Sequence, residues 1–210
     1  MADTFTLKLD TFGDIRRVAR DGHDTIRRDT RSATFGLRHL ARWAARREAR
    51  ALERLDGLEG VPRLLGFDGR VLERSYIAGQ PMQEAQPRDV AYFRAAHALL
   101  RELRRRGVVH NDLAKEPNWL VTEDGRPALV DFQIAAFGNP RGRWFRLQAR
   151  EDLRHLLKHK RTYCREHLTP VELRLLARKS WVTRTWHRSI KRFYRWFTAK
   201  IGWRDNEGKG

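Results

Sequence analysis

The 210-residue sequence holds a single cysteine, Cys164. No internal disulfide can form, so the chain has no disulfide partner within itself, which fits a reducing compartment. No apolar stretch approaches the roughly 20 residues needed to span a bilayer. The opening MADTFTLKLD has neither the basic end nor the apolar run of a secretory signal. The expectation is a cytoplasmic protein, either soluble or seated peripherally on the inner face of a membrane. Acidic residues are also scarce: 26 Asp and Glu face 44 Lys and Arg, giving a formal charge of +18 and a pI near 11.2. Such an excess attracts polyanions, whether nucleic acid, anionic membrane or phosphorylated substrate, and charge alone does not choose among them. What the chain does have is core-forming material. Its 40% hydrophobic and 10% aromatic content suffices for one compact domain or two small lobes.

Phe5, Leu7 and Leu9 alternate with Thr6 and Lys8 as a half-buried strand should. Turns at Thr11-Phe12-Gly13-Asp14 and Asp21-Gly22 separate it from strands at 15–20 and 25–28, which predicts an antiparallel meander. Leu40, Trp43, Ala44, Arg47, Ala51 and Leu55 recur near helical spacing over 37–55, and Asp56-Gly57 ends that helix. Strand-like runs follow at 62–67 and 71–77. Gly79-Gln80-Pro81 then breaks the pattern and places a hinge at 73–80. From Pro87 the pattern is helical, with Val90, Phe93, Ala96, His97, Leu100 and Leu103 on one stripe up to Gly107. Two short apolar runs, 119–121 and 128–130, flank a turn at Glu123-Asp124-Gly125. The whole predicts a bilobal α+β chain: a small antiparallel sheet with one long helix over 1–78, a mostly helical truncated lobe over 79–178, and a basic, aromatic-rich helix or tail over 179–210.

The densest stretch reads Gly-Val-Val-His110-Asn111-Asp112-Leu113-Ala-Lys115-Glu-Pro-Asn118-Trp-Leu-Val121, and Asp131-Phe132-Gln133 follows the strand pair. Either motif alone suits an ordinary turn. In this order, with a hairpin between them, they resemble the catalytic loop and metal-binding motif of the protein-kinase-like superfamily. The resemblance extends over about residues 1–165 and implies ATP and Mg2+ as cofactors. Phosphoryl transfer needs charge neutralisation and in-line positioning more than covalent help, and hard cations take oxygen ligands. By resemblance, Asn118 and Asp131 hold the metal, while Asp112 orients the acceptor hydroxyl and takes its proton. His110 matches a scaffold position. Lys115 is placed to stabilise the transferring phosphate.

The same resemblance asks for a strand lysine on the nucleotide phosphates and a helix glutamate beside it. Glu48 matches the glutamate. The strand at Thr25-Ile26-Arg27-Arg28 has no lysine, so Arg27 is the first match and Arg28 the second; an arginine fork can clamp phosphate but is bulkier than an ammonium. Leu72-Glu73-Arg74-Ser75-Tyr76-Ile77-Ala78-Gly79 resembles an adenine-contacting hinge, with Glu73 and Tyr76 as nucleotide-binding candidates. Asp152 matches either a buried aspartate that braces the catalytic loop or a plain helix N-terminal charge.

Four departures stand out. The interval from Asp112 to Asn118 is one residue longer than usual, Gln133 replaces glycine after Asp-Phe, the phosphate loop is reduced to Thr11–Asp14, and the segment after Asp131 is short with no Ala-Pro-Glu. The last two make the chain similar to RIO-type kinases and to bacterial lipopolysaccharide-core (Kdo/heptose) sugar kinases. The function this implies is transfer of the γ-phosphate of ATP to a hydroxyl, on protein Ser/Thr or on an envelope sugar or lipid. Two alternatives stay open: an impaired pseudokinase that binds nucleotide or a partner, and a basic nucleic-acid-binding protein. In the tail, Val182, Trp186, Ile190, Phe193, Phe197 and Ile201 form a helical apolar stripe among basic residues. That stripe could pack on the protein or lie on an anionic membrane; nucleic acid ranks behind both.

Overall fold

Period-two alternation in the N-terminal third produces a sheet. In the computed structural model, which describes residues 3–10, 13–20 and 23–177, β1 (Asp3–Asp10), β2 (Gly13–Arg20) and β3 (His23–Asp29) form the expected antiparallel meander. β4 (Leu64–Phe67) and β5 (Val71–Ser75) extend it in the order β1-β2-β3-β5-β4. Ile26 pairs with Arg74 and Arg28 with Leu72, which places these four side chains on one face. Ile26, Arg28 and Leu72 are buried there, whereas Arg27 is exposed on the other face. The tail over 179–210 lies outside the described residues, as do Thr11, Phe12, Asp21 and Gly22 of the two expected turns.

α1 (Arg38–Arg54) is built almost wholly from strong helix formers and packs against β4 and β5. Its inward side differs from the expected stripe. Leu40 and Trp43 stand 38% and 47% exposed, while Ala41, Ala44, Ala45, Ala49, Ala51 and Leu52 face inward with Glu48. Alanines let the helix approach the sheet closely, and a large side chain at those positions would hold it off.

Past β5 the chain is mostly helical. β6 (Gln80–Pro81), at the expected break, pairs with β8 (Trp119–Val121), which pairs with β9 (Pro127–Leu129). α2 (Met82–Ala85) is a single turn. α3 (Val90–Arg105) starts on Asp89, whose side chain accepts the Ala91 N–H at 2.8 Å. Its buried seam runs through Tyr92, Ala96, Leu99 and Leu103 with Phe93 and Leu100. His97 is exposed, because the core lies on the Tyr92–Leu99 side of the expected stripe. Gly107 ends this segment at φ 69°, and a Cβ there would fall 2.7 Å from the Gly138 carbonyl oxygen. Only glycine allows that approach. It lets β7 (Val108–Val109) pair with β10 (Ala136–Phe137). α4 (Arg143–Tyr163) and α5 (Pro170–Ala177) complete the described chain.

One buried cluster joins α3, Leu113, Trp119, Leu129, Phe132 and Leu156 to Ala51 and Leu52 of α1 and to Leu55, which caps it. The α+β expectation holds: an antiparallel sheet region precedes a helical part. Among the described residues no helix is long and apolar enough to cross a membrane.

Candidate active site

Two buried side chains shape the loop after β7. His110 is fully buried, packs on Phe132 with ring centres 4.5 Å apart, and donates from Nε2 to the Val130 carbonyl at 2.9 Å. Its Nδ1 is left to accept from the Asp112 N–H at 3.4 Å. Burial lowers its pKa, so the ring is neutral, as a scaffold should be. Asp152 of α4 is buried, and its carboxylate accepts the backbone N–H groups of His110 at 2.7 Å and Asn111 at 3.0 Å. Asp152 therefore braces the loop and is not a plain helix-end charge. Burial pushes its pKa up to about 7, against the two N–H donors that pull it down, with Asp112 and Glu151 adding to the rise. Asn111 sits at φ 66°, a left-handed residue that turns the chain and sets Asp112 beyond it.

The additional residue of this loop is taken up in a 3-10 turn over Glu116–Asn118. The turn brings Asn118 back onto the loop start. Its Nδ2 donates to the Asp112 carbonyl at 3.0 Å, and its own carbonyl accepts the Val130 N–H at 3.1 Å. Lys115 Nζ donates to Asp112 Oδ2 at 2.6 Å. Asp131 sits at φ 68°, again left-handed, and its Oδ1 is buried without a hydrogen-bond partner. A strained backbone and an orphaned carboxylate oxygen at one residue suit a cation ligand. The Asn118 amide nitrogen is engaged, which leaves its Oδ1 as a second oxygen donor. This hard-oxygen set fits Mg2+.

On the sheet side, Glu48 is fully buried between two arginines. Arg74 Nε lies 3.1 Å from Oε1 and Arg28 Nη1 lies 3.7 Å from Oε2. Neither Glu48 oxygen has an aligned hydrogen bond, so both contacts are electrostatic. Burial lowers the Arg74 pKa; Glu48 raises it, Arg28 lowers it, and Asp131 raises it, which ties this group to the loops opposite. Of the two candidate cations Arg28 faces Glu48, and Arg27 does not. Glu73 pairs with Arg27 on the outer face, where it accepts from Thr25 Oγ1 at 3.3 Å. Tyr76 lies further along the inner face, its ring 4.1 Å below the Arg17 guanidinium. It lines an open cleft of about 550 Å³ with Ala78, Gly79, Gln80 and Val121. The fold thus brings together Asp112, Lys115, Asn118, Asp131, Arg28 and Glu48. Tyr76 is set at the hinge end, and the Arg27 and Glu73 side chains lie outside.

A model of the RIO domain matches residues 4–165. This chain belongs to the RIO family. No curated protein sequence matches it. Among solved structures, the Rio2 kinase from Chaetomium thermophilum shares the fold at TM-score 0.60 and 16% identity, over 80% of this chain and 60% of that one. The ADP/Mg2+-phosphoaspartate complex of that kinase gives TM-score 0.61 and 16% identity, over 83% of this chain and 60% of that one. The chain thus spans about 60% of the length of these relatives. The RIO domain here also places Arg74, which its motifs do not single out, in the candidate site beside Glu48. Its signal was the strand alternation that sets it on the face of Leu72, Ile26 and Arg28, opposite Glu73.

Proposed function

We propose that this RIO domain is a Mg2+-dependent phosphotransferase that moves the γ-phosphoryl group of ATP to a hydroxyl acceptor. The observation that carries the reading is the joint fixation of Asp112, Asn118 and Asp131 on one hydrogen-bonded pair of loops, with an Asp131 oxygen left without a partner. The Rio2 complex, which holds ADP and Mg2+, supports the choice of nucleotide and metal.

Bound by Asn118 and Asp131, Mg2+ would neutralise charge on the phosphate oxygens. Asp112 orients the acceptor hydroxyl and takes its proton on a carboxylate oxygen. Lys115, already on Asp112 Oδ2, brings a cation to the transferring group. Arg28 grips the phosphates with a guanidinium fork, positioned by Glu48 and seconded by Arg74. Tyr76 and the cleft at Ala78–Gly79 receive the base, and the parts 1–78 and 79–178 act as the two lobes around the nucleotide. The short segment after Asp131 leaves the acceptor side open, which suits an envelope sugar or lipid as well as a protein serine or threonine. The +18 charge favours an anionic acceptor or surface.

The test measures fluorescent ATP-analogue binding and ATP turnover, with and without Mg2+, in the full chain and in Asp112→Asn and Asp131→Asn. Asp112→Asn should keep binding and lose turnover by roughly 10²–10⁴-fold, while Asp131→Asn should lose the Mg2+ dependence. Equal turnover in all three would refute the catalytic assignment. Binding without turnover would favour a nucleotide-binding module.

The phosphoaspartate in the Rio2 complex and the unpartnered Asp131 oxygen favour a second reading, in which the carboxylate itself takes the phosphoryl group. A carboxylate oxygen then bonds the γ-phosphorus as its bond to the bridging oxygen breaks, and ADP leaves. Label retained on the protein and released by hydroxylamine would mark that route.

A further inference from the structure

Arg47, Arg50 and Arg54 follow each other along one side of α1, and their guanidinium carbons stand 5.6, 4.9 and 5.0 Å from the centre of the Phe137 ring. Three cations gathered on one ring lie within about a Debye length of it, so salt screens their mutual repulsion only in part. Burial lowers the pKa of Arg47, and the Arg50 charge lowers it further. Among the described residues no Asp or Glu pairs with any of the three. Other arginines of the domain are answered internally: Arg17 by Asp24, Arg28 and Arg74 by Glu48, Arg126 by Glu59. The Phe137 face satisfies part of each cation's field, Trp43 adds a second ring 4.9 Å from the Arg47 guanidinium, and the N–H forks of Arg50 and Arg54 are left for an anion.

The position of the cluster bears on its purpose. Phe137 and Ala136 pair with Val108 and Val109, directly before His110. Arg47 Nε donates to the Ala135 carbonyl, and Asn111 Nδ2 donates to the Ile134 carbonyl at 3.3 Å. The cluster thus adjoins the catalytic loop through the segment that follows Asp131. That segment cannot supply the anion by its own phosphorylation, because no Ser, Thr or Tyr occurs between Asp131 and Thr162.

We propose that Arg47, Arg50 and Arg54 around Phe137 form a binding site for a phosphate group carried by the acceptor. Assignment of that phosphate to the acceptor rests on the phosphotransferase reading; phosphate binding does not. The acceptor class is then a hydroxyl compound that already bears a phosphoester, held by that ester while its hydroxyl meets Asp112.

Calorimetric titration of the full chain with inorganic phosphate and with glycerol 3-phosphate, each in the presence of Mg2+ and a non-hydrolysable ATP analogue, tests this. The chain and Arg46→Gln, an exposed arginine of the same helix that does not touch Phe137, should bind saturably. Arg50→Gln/Arg54→Gln should bind roughly 100-fold more weakly, about tenfold for each charge-assisted hydrogen bond removed. Arg50→Lys/Arg54→Lys, which keeps charge without the fork, should fall between. Equal weakening in Arg46→Gln, binding without saturation, or loss of phosphate binding once the ATP analogue is added would each overturn the site. Tighter binding of glycerol 3-phosphate assigns the phosphate to the acceptor, and tighter binding of the free ion overturns that assignment. If the ATP analogue does not bind, the phosphotransferase reading fails by itself, and the same titrations without it still decide the phosphate site.

Discussion

Glu48→Gln is the sharpest perturbation of this molecule, because it changes charge and little else. Glu48 is fully buried and meets Arg74 at 3.1 Å and Arg28 at 3.7 Å. At an effective dielectric constant of about 20 these separations correspond to gross attractions of about 5 and about 4 kcal/mol. Much of that is returned as desolvation, and the net cost of breaking a buried pair is about 3–5 kcal/mol. The amide would leave two guanidiniums, themselves only 10% and 12% exposed, without their nearest counter-charge. The expected loss is therefore about 3–5 kcal/mol, or on the order of 10 °C in Tm for a domain of this size. Urea unfolding followed by tryptophan fluorescence and circular dichroism measures it. Arg28→Met and Arg74→Met, each leaving Glu48 one partner, should cost less than Glu48→Gln; removing both should cost at least as much. A loss below about 1 kcal/mol for Glu48→Gln, or additive costs for the two arginines, would show that the triad is not a coupled buried network.

Two further outcomes follow from the same geometry. Arg28→Gln should weaken fluorescent ATP-analogue binding about tenfold, while Arg27→Gln, on the outer face of the sheet, should leave it unchanged; the reverse order would mean that the nucleotide meets the opposite face of β3. Asp152→Asn should destabilise the chain by about 1–3 kcal/mol, since one buried backbone N–H loses its acceptor, and should also change the pH profile. A carboxyl whose folded pKa is raised from 3.8 to about 7 holds its proton longer when folded. Its contribution is thus present below about pH 4 and lost as pH rises through 7. The buried His110, with lowered pKa, works in the opposite sense, so the difference between the chain and Asp152→Asn isolates Asp152. Urea midpoints from pH 5 to 8 should converge with rising pH as the chain loses its advantage, and parallel profiles would refute the assignment.

The loop half of the candidate site was legible because its residues sit in contiguous sequence. His110, Asp112, Asn118 and Asp131 are local to one loop and one hairpin, and the hairpin was visible as two apolar runs around a turn. The sheet half depends on which face a side chain takes, and strand alternation gives that only once register is known. Arg27 and Arg28 are adjacent, so a one-residue choice decided between the outer face and Glu48. Arg74 escaped notice for the same reason. The α1 stripe holds at Ala44, Ala51 and Leu55 and fails at Leu40 and Trp43, because a helix pressed on a sheet buries its alanines and leaves larger residues outside. The longer interval from Asp112 to Asn118 is absorbed in a 3-10 turn, a three-dimensional solution that spacing does not reveal.

The glutamate between two arginines also sets a conformational equilibrium. A form in which α1 carries Glu48 away from Arg28 and Arg74 must abandon both charges at once, at about 3–5 kcal/mol, which keeps it under about 1% of molecules. A cleft with one cation at this place gives up a single ion pair when the helix moves and can idle in the disengaged form. With two, leaving the engaged position breaks both ion pairs together, so the helix is held there by the domain's own charges.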